Sequence, residues 1–252
     1  MSASHFANRV ALITGGSRGI GRASALRLAS EGADIAISYV SRVKEAEETV
    51  AEIRAMGRKA ICEPCNVARP EDVERLVNRT RKELGPIDLL VHCGAISNIR
   101  NHTELTYDRW REMIDINLNG TYLVVFAVKD EMIARNFGRI VLLSSAAALR
   151  PRKLQIHYAS AKAAIIAFNR CCAEAFAPHN VRVNALAPGM IETEMAHVLT
   201  DEALGRVIGD TPMGRMGQPE EMASIIRFLL SEDSSFITGE TLSASGGRVT
   251  LP

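Results

Sequence analysis

The stretch Val10–Gly21, V-A-L-I-T-G-G-S-R-G-I-G, decides the fold of this 252-residue chain. Its five apolar-rich first residues predict a short buried strand, and the run R-A-S-A-L-R-L-A after the glycines predicts a helix that ends near Gly32. Strand, glycine loop and helix therefore follow one another as in a dinucleotide-binding unit. Gly15, Gly19 and Gly21 would permit a tight turn, close approach of a pyrophosphate, and close packing of the helix on the strand.

The spacing of these glycines is G-x-x-x-G-x-G, which differs from the common G-x-G-x-x-G. Taken alone, such a cluster is also compatible with a simple turn. The remainder of the chain therefore has to support the nucleotide-site interpretation.

Beyond this unit, near-continuous apolar strands alternate with amphipathic helices. This alternation predicts an α/β fold with a parallel sheet covered on both faces. We find no linker, repeat or low-complexity tract, so residues 1–252 are expected to form a single domain. The further predicted strands are Asp34–Val40, Lys59–Val67, Ile87–Cys93, Arg139–Leu143, Val181–Leu186 and Glu240–Ser243.

The predicted helices include a long one from Thr106 to about Asn136. Asn117, Asn119 and Gly120 are poor helix formers in its middle, so a local bend or a functional side chain is expected there. Between Glu192 and Gly217 the pattern weakens into short pieces. We expect a flap over a substrate at about residues 190–217.

Composition and charge exclude several classes of protein. Lys and Arg number 30 against 29 acidic residues, so no basic excess favours nucleic-acid binding. The amino terminus lacks a secretory pattern and no apolar run approaches about 20 residues, so we expect a cytoplasmic protein that does not enter a membrane. Five cysteines fit a reducing compartment. Cys62 and Cys65 form a lone C-x-x-C, which we interpret as buried thiols, and no metal is expected.

The end of the second predicted strand bears on the type of dinucleotide. An acidic residue there would bind the ribose 2′-hydroxyl of NAD, but the chain has Tyr39, Val40, Ser41 and Arg42. Arg42 and Arg18 could bind a 2′-phosphate, and Ser41 could add a hydroxyl. NADP(H) is therefore favoured over NAD(H), the alternative being that both arginines are solvated surface charges.

A second group of residues could carry out a chemical step. If the segment from His157 is helical, Tyr158 and Lys162 lie four residues apart on one face. A fixed ammonium would lower the pKa of the phenol, so that Tyr158 could exchange a proton with a carbonyl or alcohol oxygen. Ser145 could place a hydroxyl against the same oxygen. The alternative is that these are ordinary helix residues.

Together these stretches resemble the classical short-chain dehydrogenase/reductases over essentially the whole chain, most closely the β-ketoacyl carrier-protein reductase type. The matching stretches are T-G-G-S-R-G-I-G at Thr14–Gly21, I-N-L-N-G around Asn117, Ser145, Y-A-S-A-K at Tyr158–Lys162 and N-A-L-A-P-G at Asn184–Gly189. The resemblance implies a doubly wound, seven-stranded parallel Rossmann sheet with three helices on each face.

The resemblance also assigns roles. Tyr158 would be the proton donor and acceptor, Lys162 would lower its pKa and bind the nicotinamide ribose, and Ser145 would orient the substrate oxygen. Asn117 would hold a water in a proton relay. The implied dinucleotide-binding residues are Gly15, Ser17, Arg18, Gly19, Ile20, Gly21, Ser41, Arg42, Asn66, Val67, Cys93, Gly94, Ala95, Tyr158, Lys162, Pro188, Gly189, Ile191 and Thr193.

Two departures from the family pattern stand out. His92-Cys93-Gly94-Ala95 occupies the place of the usual N-N-A-G, and Asn66 stands where relatives usually carry an Asp that faces the adenine. We interpret His92 as a packed, hydrogen-bonded imidazole rather than a ligand or base. The amide oxygen of Asn66 can accept the same hydrogen bond as the usual carboxylate.

The expected activity is hydride transfer between NADP(H) and a ketone or secondary alcohol. One alternative is 3-oxoacyl carrier-protein reduction, for which Arg135 and Arg139 would lie beside the active-site mouth, although Asn136 and His179 add no charge there. A non-catalytic dinucleotide sensor or scaffold and a redox protein that works through its cysteines are hypotheses from different classes. Apolar residues on several faces of the helix after Tyr158 predict a homotetramer. The expected pocket lining is Ser97, Asn98, Leu154, Met190, Met195 and Val198.

Overall fold

Seven parallel strands form the centre of the computed structural model, which describes residues 5–150, 152–194, 196 and 200–249. The sheet order is β3-β2-β1-β4-β5-β6-β7, so the chain winds outward from β1 in both directions. The strands are β1 Val10–Thr14, β2 Asp34–Tyr39, β3 Ala60–Pro64, β4 Leu89–His92, β5 Gly138–Leu143, β6 Val181–Pro188 and β7 Thr241–Ala244.

Helices cover both faces of this sheet. One apolar layer joins α1, α2 and α8 to the sheet, and a second joins α3, α5 and α6 to its other face. The helices are α1 Gly19–Ser30, α2 Val43–Ala55, α3 Pro70–Glu83, α4 Tyr107–Ile114, α5 Gly120–Ala134, α6 Ile156–Phe176, α7 Asp201–Gly209 and α8 Pro219–Leu230. The expected doubly wound single-domain fold is thereby confirmed.

The central strands are buried on both faces, which explains their continuous apolar sequence. All five residues of β1 are buried, and its Ile13 lies in register with Ile37 of β2 and Val91 of β4. Because all strands run the same way, the loops that follow them meet at one edge of the sheet. That edge contains the candidate active site.

The expected irregularity in the long helix is confirmed. A π-helical segment, Asp115–Asn119, connects α4 to α5, and the side chain of Asn117 in it is completely buried. A π-turn widens the backbone locally and is frequent at functional sites. Within the described part of the chain, no helix is long and apolar enough to cross a membrane.

Candidate active site

In the glycine loop between β1 and α1, the main chain of the loop lies close to the main chain of the helix. Gly15 and Gly19 adopt positive φ values of 65° and 53°, which glycine tolerates without strain. A Cβ atom at Gly21 would lie 2.2 Å from the carbonyl oxygen of Gly15. No described side chain caps the first turn of α1, where Arg18 is the N-cap residue. The free N–H groups of that turn suit the pyrophosphate of a dinucleotide.

The segment after β6 reaches over this loop. The side chain of Thr193 would lie 3.1 Å from a Cβ atom at Gly19. Ile191 forms a backbone bridge with Gly217, and the N–H group of Gly189 donates to Ala244. These contacts place the predicted dinucleotide-binding residues Gly189, Ile191 and Thr193 at the same edge as the glycine loop.

Both arginines predicted to bind a 2′-phosphate contact a single carboxylate. Arg42 donates from Nη2 to Oε2 of Glu194 at 3.0 Å, and Arg18 donates to the same oxygen. All three side chains are about half exposed. Sequence reasoning did not single out Glu194, since no local pattern shows that it returns to the end of β2.

At the adenine end, Asn66 and Val67 follow β3. The Oδ1 atom of Asn66 accepts from the N–H group of Ala68 at 3.1 Å, so this oxygen already has a partner. Val67 is buried and lies beside Gly94 and Gly120, where added Cβ atoms would come within 3.3 Å and 2.7 Å of its side chain. Gly94 and Gly120 thus leave space for Val67 to pack beneath the expected adenosine site.

His92 ends β4 as a buried imidazole. The Oγ1 atom of Thr14 lies 2.9 Å from its Nδ1 and accepts from the N–H groups of Cys93 and Gly94. Because the Thr14 hydroxyl accepts from both of these groups, its own proton points at Nδ1, which assigns the proton of the neutral ring to Nε2. Burial lowers the pKa of His92 to about 3. His92 is thus the packed, hydrogen-bonded imidazole that the sequence predicts.

The lowered pKa of His92 makes the stability of the protein depend on pH. The unfolded chain binds a proton near the ordinary pKa of 6.5, whereas the folded chain binds it only near 3. Stability from this residue is therefore complete above pH 6.5 and is lost as the pH falls towards 3. Between about pH 7 and about pH 4 this loss amounts to about 3 kcal/mol.

We expect His92→Asn to remove this loss, because asparagine has no proton to gain. Urea unfolding of both proteins at each pH measures the effect. The free energy of unfolding of the variant should rise relative to that of the wild type as the pH falls. A gap that is the same at both pH values would contradict the burial of a neutral imidazole.

Ser145, Tyr158 and Lys162 meet where β5 ends and α6 begins. Ser145 hydrogen-bonds to Tyr158, which lowers the pKa of the phenol, and the positive charge of Arg152 acts in the same direction. Burial of Tyr158 has the larger and opposite effect, so the net pKa is raised. The phenol of Tyr158 therefore keeps its proton in this structure and is not a phenolate.

Lys162 is 3% exposed, and its ammonium Nζ lies 5.9 Å from the centre of the Tyr158 ring. Nζ donates to the carbonyl oxygen of Leu143 at 2.7 Å, and burial lowers the pKa of Lys162 to about 8. The expected lowering of the pKa of Tyr158 by Lys162 is not seen in this structure. Nζ is bonded to the end of β5, while Ser145 and Arg152 are the groups that oppose the effect of burial.

Asn117 binds the loop that follows β4. Its Oδ1 accepts from the N–H group of Ile96 and its Nδ2 donates to the carbonyl oxygen of Ile96, both at 2.9 Å. This reciprocal pair fixes the loop beside Lys162. The water-holding role of Asn117 stays a prediction.

The same loop is attached to the start of α6. Gln155 donates to Ser97 at 3.1 Å, the Nε2 atom of His157 bonds to Asn98, and the N–H group of Arg100 donates to Leu154. Ser97 and Asn98 were expected to line the substrate pocket. Their side chains bond to Gln155 and His157, partners for which the sequence shows no signal, and their place in a substrate pocket stays a prediction.

The other residues expected to line the pocket lie in different surroundings. Leu154 is 39% exposed, and Met190 lines a cleft with Ile191, Thr211, Met213 and Ser245. Met195 and Val198 lie outside the described residues. The described part of the predicted flap contains the short helix α7.

Two arginines lie at a different edge of the sheet from the one expected. Arg135 and Arg139 were expected beside the active-site mouth, which is wrong. Arg139 is the second residue of β5 and bonds to Asn180 before β6, and Arg135 bonds to Asp88 before β4. These positions lie at the amino ends of the strands, opposite the active-site edge. Their sequence distance from Ser145 carries no information about the edge of the sheet on which they lie.

Cys62 and Cys65 are free thiols, and burial raises the pKa of both, that of Cys65 to about 12. A protonated thiol is a poor nucleophile and a poor metal ligand. Within the described residues, no group of three His, Cys, Asp or Glu side chains could hold a metal ion.

Comparisons with known proteins agree with this geometry. A family model described as enoyl-(acyl carrier protein) reductase matches residues 15–248. The chain is 38% identical over 242 residues to a 3-oxoacyl-[acyl-carrier-protein] reductase of Synechocystis sp., covering 96% of this chain and 97% of the relative.

Solved structures give the same result. The crystal structure of 3-oxoacyl-[acyl-carrier protein] reductase from Brucella melitensis superposes with a TM-score of 0.91 at 33% identity, covering 97% of this chain and 92% of that one. The crystal structure of levodione reductase superposes with a TM-score of 0.92 at 30% identity, covering 96% of this chain and 98% of that one. The strand order, the glycine loop and these matches show that the chain is an oxidoreductase of the short-chain dehydrogenase/reductase family.

Proposed function

We propose that the protein transfers a hydride between NADP(H) and a ketone or secondary alcohol, with Tyr158 as the general acid and base. The observation that carries this proposal is the hydrogen-bonded pair of Ser145 and Tyr158 beside buried Lys162, at the edge that also holds the glycine loop. A hydroxyl that keeps its proton at neutral pH can supply it to the oxygen of a reduced carbonyl.

The residues present fit a dinucleotide. The uncapped N-terminus of α1 suits a pyrophosphate, and the glycine contacts leave no room for side chains between loop and helix. When bound, the nicotinamide would supply or accept the hydride. Ser145 would hold the substrate oxygen beside Tyr158. Lys162, which is cationic below its pKa of about 8, would favour the phenolate that remains once the proton has left.

Preference for NADP(H) over NAD(H) is supported by the pair of arginines on Glu194. Two guanidinium groups that converge on one carboxylate can also receive a 2′-phosphate. In the dinucleotide-bound protein Glu194 would compete with that phosphate for Arg18 and Arg42.

We therefore expect Glu194→Gln to lower the KM for NADPH by about threefold to tenfold, and to leave that for NADH within about twofold. The measurement is initial-rate kinetics with both dinucleotides and a panel of ketones, which also tests the proposed function. The matched control is Glu202→Gln, which removes an exposed carboxylate paired with Arg206 on α7. A preference for NADH in the wild type would overturn our interpretation of Arg18, Ser41 and Arg42.

An enoyl thioester added to that panel, together with titration of each dinucleotide, distinguishes the remaining classes. Turnover of an enoyl thioester but of no ketone would favour the reaction named by the family model. Binding of a dinucleotide without turnover of any substrate would favour the sensor hypothesis.

A second candidate function is 3-oxoacyl carrier-protein reduction, which the names of two of the relatives favour. The arginines first considered for docking of the acidic carrier protein lie at the opposite edge, so they do not support it. The cytoplasmic location expected from the sequence fits either function and stays a prediction.

A homotetramer is supported by an aromatic group on α5 and α6. Tyr122 and Phe126 are 46% and 37% exposed with ring centres 4.3 Å apart, and Phe168 lies 6.5 Å from Phe126. Other apolar residues of α6 do not contribute to this group, because Ile165, Cys172 and Phe176 pack within the chain's own core. Sedimentation equilibrium at micromolar concentration would show a monomer if this proposal is wrong.

A further inference from the structure

Three arginine side chains gather on the β7 side of Tyr158. Arg150 and Arg152 lie in the loop between β5 and α6, and Arg248 follows the turn at Gly246 after β7. We refer to Arg150, Arg152 and Arg248 as the arginine cluster. It brings residues from two strand ends to the candidate active site.

One carboxylate faces these three cations in the described part of the chain. Asp210, at the end of α7, accepts from Nη2 of Arg248 at 3.2 Å, and its Oδ2 lies 3.6 Å from Nη2 of Arg150. Three guanidinium groups and one carboxylate leave two positive charges without compensation there. A cluster of like charges is costly unless an anion joins it.

Arg248 is the member of the cluster whose side chain is nearly buried. Its side chain is only 7% exposed, yet its Nε and Nη1 atoms have no hydrogen-bond partner among the described residues. Among the described arginines, Arg248 is the one with two buried nitrogen atoms that lack a partner, and the others have at most a buried Nε of this kind. A buried N–H group without an acceptor is unfavourable. Nε and Nη1 lie on different edges of the guanidinium group, so each could donate to its own oxygen of an anion bound among the arginines.

The cluster also acts on the reacting side chain. The charge of Arg152 lowers the pKa of Tyr158, and the Nε atom of Arg152 is itself buried without a described partner. Burial and repulsion from Arg248 and Arg150 lower the pKa of Arg152. An anion bound among these arginines would relieve that repulsion.

We propose that the arginine cluster binds a carboxylate of the substrate, so that the protein acts on oxo acids and hydroxy acids in preference to neutral ketones. This inference rests on the proposed reductase function and narrows its substrate class. Arg248 supplies two buried donor atoms, while Arg152 and Arg150 add positive charge.

The test compares acids with their neutral esters. Acetoacetate and levulinate, each beside its methyl ester, are assayed with NADPH. We expect kcat/KM for at least one acid to exceed that of its ester by about tenfold or more. Arg248→Gln should reduce this preference through a higher KM for the acid, while the rate of turnover of the ester stays at its wild-type value.

Two controls keep a structural effect apart from loss of binding. Arg206→Gln removes a charge that is 72% exposed on the nearby helix α7 and should leave the preference unchanged. Arg248→Lys keeps the charge but not the several donor atoms of the guanidinium group, and should retain part of the preference. Melting temperatures of all variants show whether the fold is intact.

Equal kcat/KM for every acid and its ester would overturn the inference and leave the proposed function standing. If no ketone is turned over with either dinucleotide, the proposed function fails instead. Calorimetry with levulinate on wild type and Arg248→Gln then decides the inference separately. Binding that is absent, or that is unchanged by Arg248→Gln, would overturn it.

Discussion

Tyr158→Phe is expected to lower kcat for ketone reduction by about 10²-fold to 10⁴-fold, which is the usual contribution of a positioned general acid. The phenylalanine ring fills the same space, so the affinity for NADPH should change by less than about threefold. The effect arises from one hydroxyl, which hydrogen-bonds to Ser145 and whose pKa stays above its ordinary value through burial.

Tyr107→Phe is the matched control, because Tyr107 on α4 is 74% exposed. It should have wild-type kinetics. Single-turnover measurements with NADPH separate loss of chemistry from loss of binding. A Tyr158→Phe protein with more than about a third of the wild-type kcat would rule out Tyr158 as the proton donor.

Gly21→Ala is expected to reduce affinity for the dinucleotide by about 100-fold and to lower the melting temperature. The new Cβ would lie 2.2 Å from the carbonyl oxygen of Gly15 and 2.9 Å from its carbonyl carbon, both backbone atoms. Helix α1 has to move away from the loop to relieve this overlap, and overpacking of this kind costs about 1–3 kcal/mol. The same movement takes the free N–H groups of its first turn away from the pyrophosphate.

Gly205→Ala provides the matched comparison. Gly205 lies within α7, and a Cβ atom there would meet nothing within 4 Å. Alanine should therefore raise the free energy of unfolding by about 0.5–1 kcal/mol, because it restricts the unfolded chain. Thermal unfolding and NADPH titration of both variants check the pair of predictions. Wild-type affinity in Gly21→Ala would show that the close packing is not needed for binding.

Local sequence was enough for most of the framework. The predicted strand Val10–Thr14 has the observed bounds, and the irregularity at Asn117 lies in the π-helical segment. Apolar runs, glycines and helix-breaking residues act within a few positions of themselves, so the sequence shows them directly. The family resemblance then indicated Ser145, Tyr158 and Lys162.

The tertiary structure alone decided which charged groups meet. Glu194 contacts Arg18 and Arg42 across more than 150 positions, Arg248 reaches the loop of Arg152, and Arg139 lies at the edge away from the active site. Such contacts depend on which strand ends the sheet order brings together, and an ion pair between distant residues leaves no periodic pattern in either segment. The sequence by itself therefore determined the fold and its reacting groups, while the parallel sheet decided the electrostatic surroundings in which those groups act.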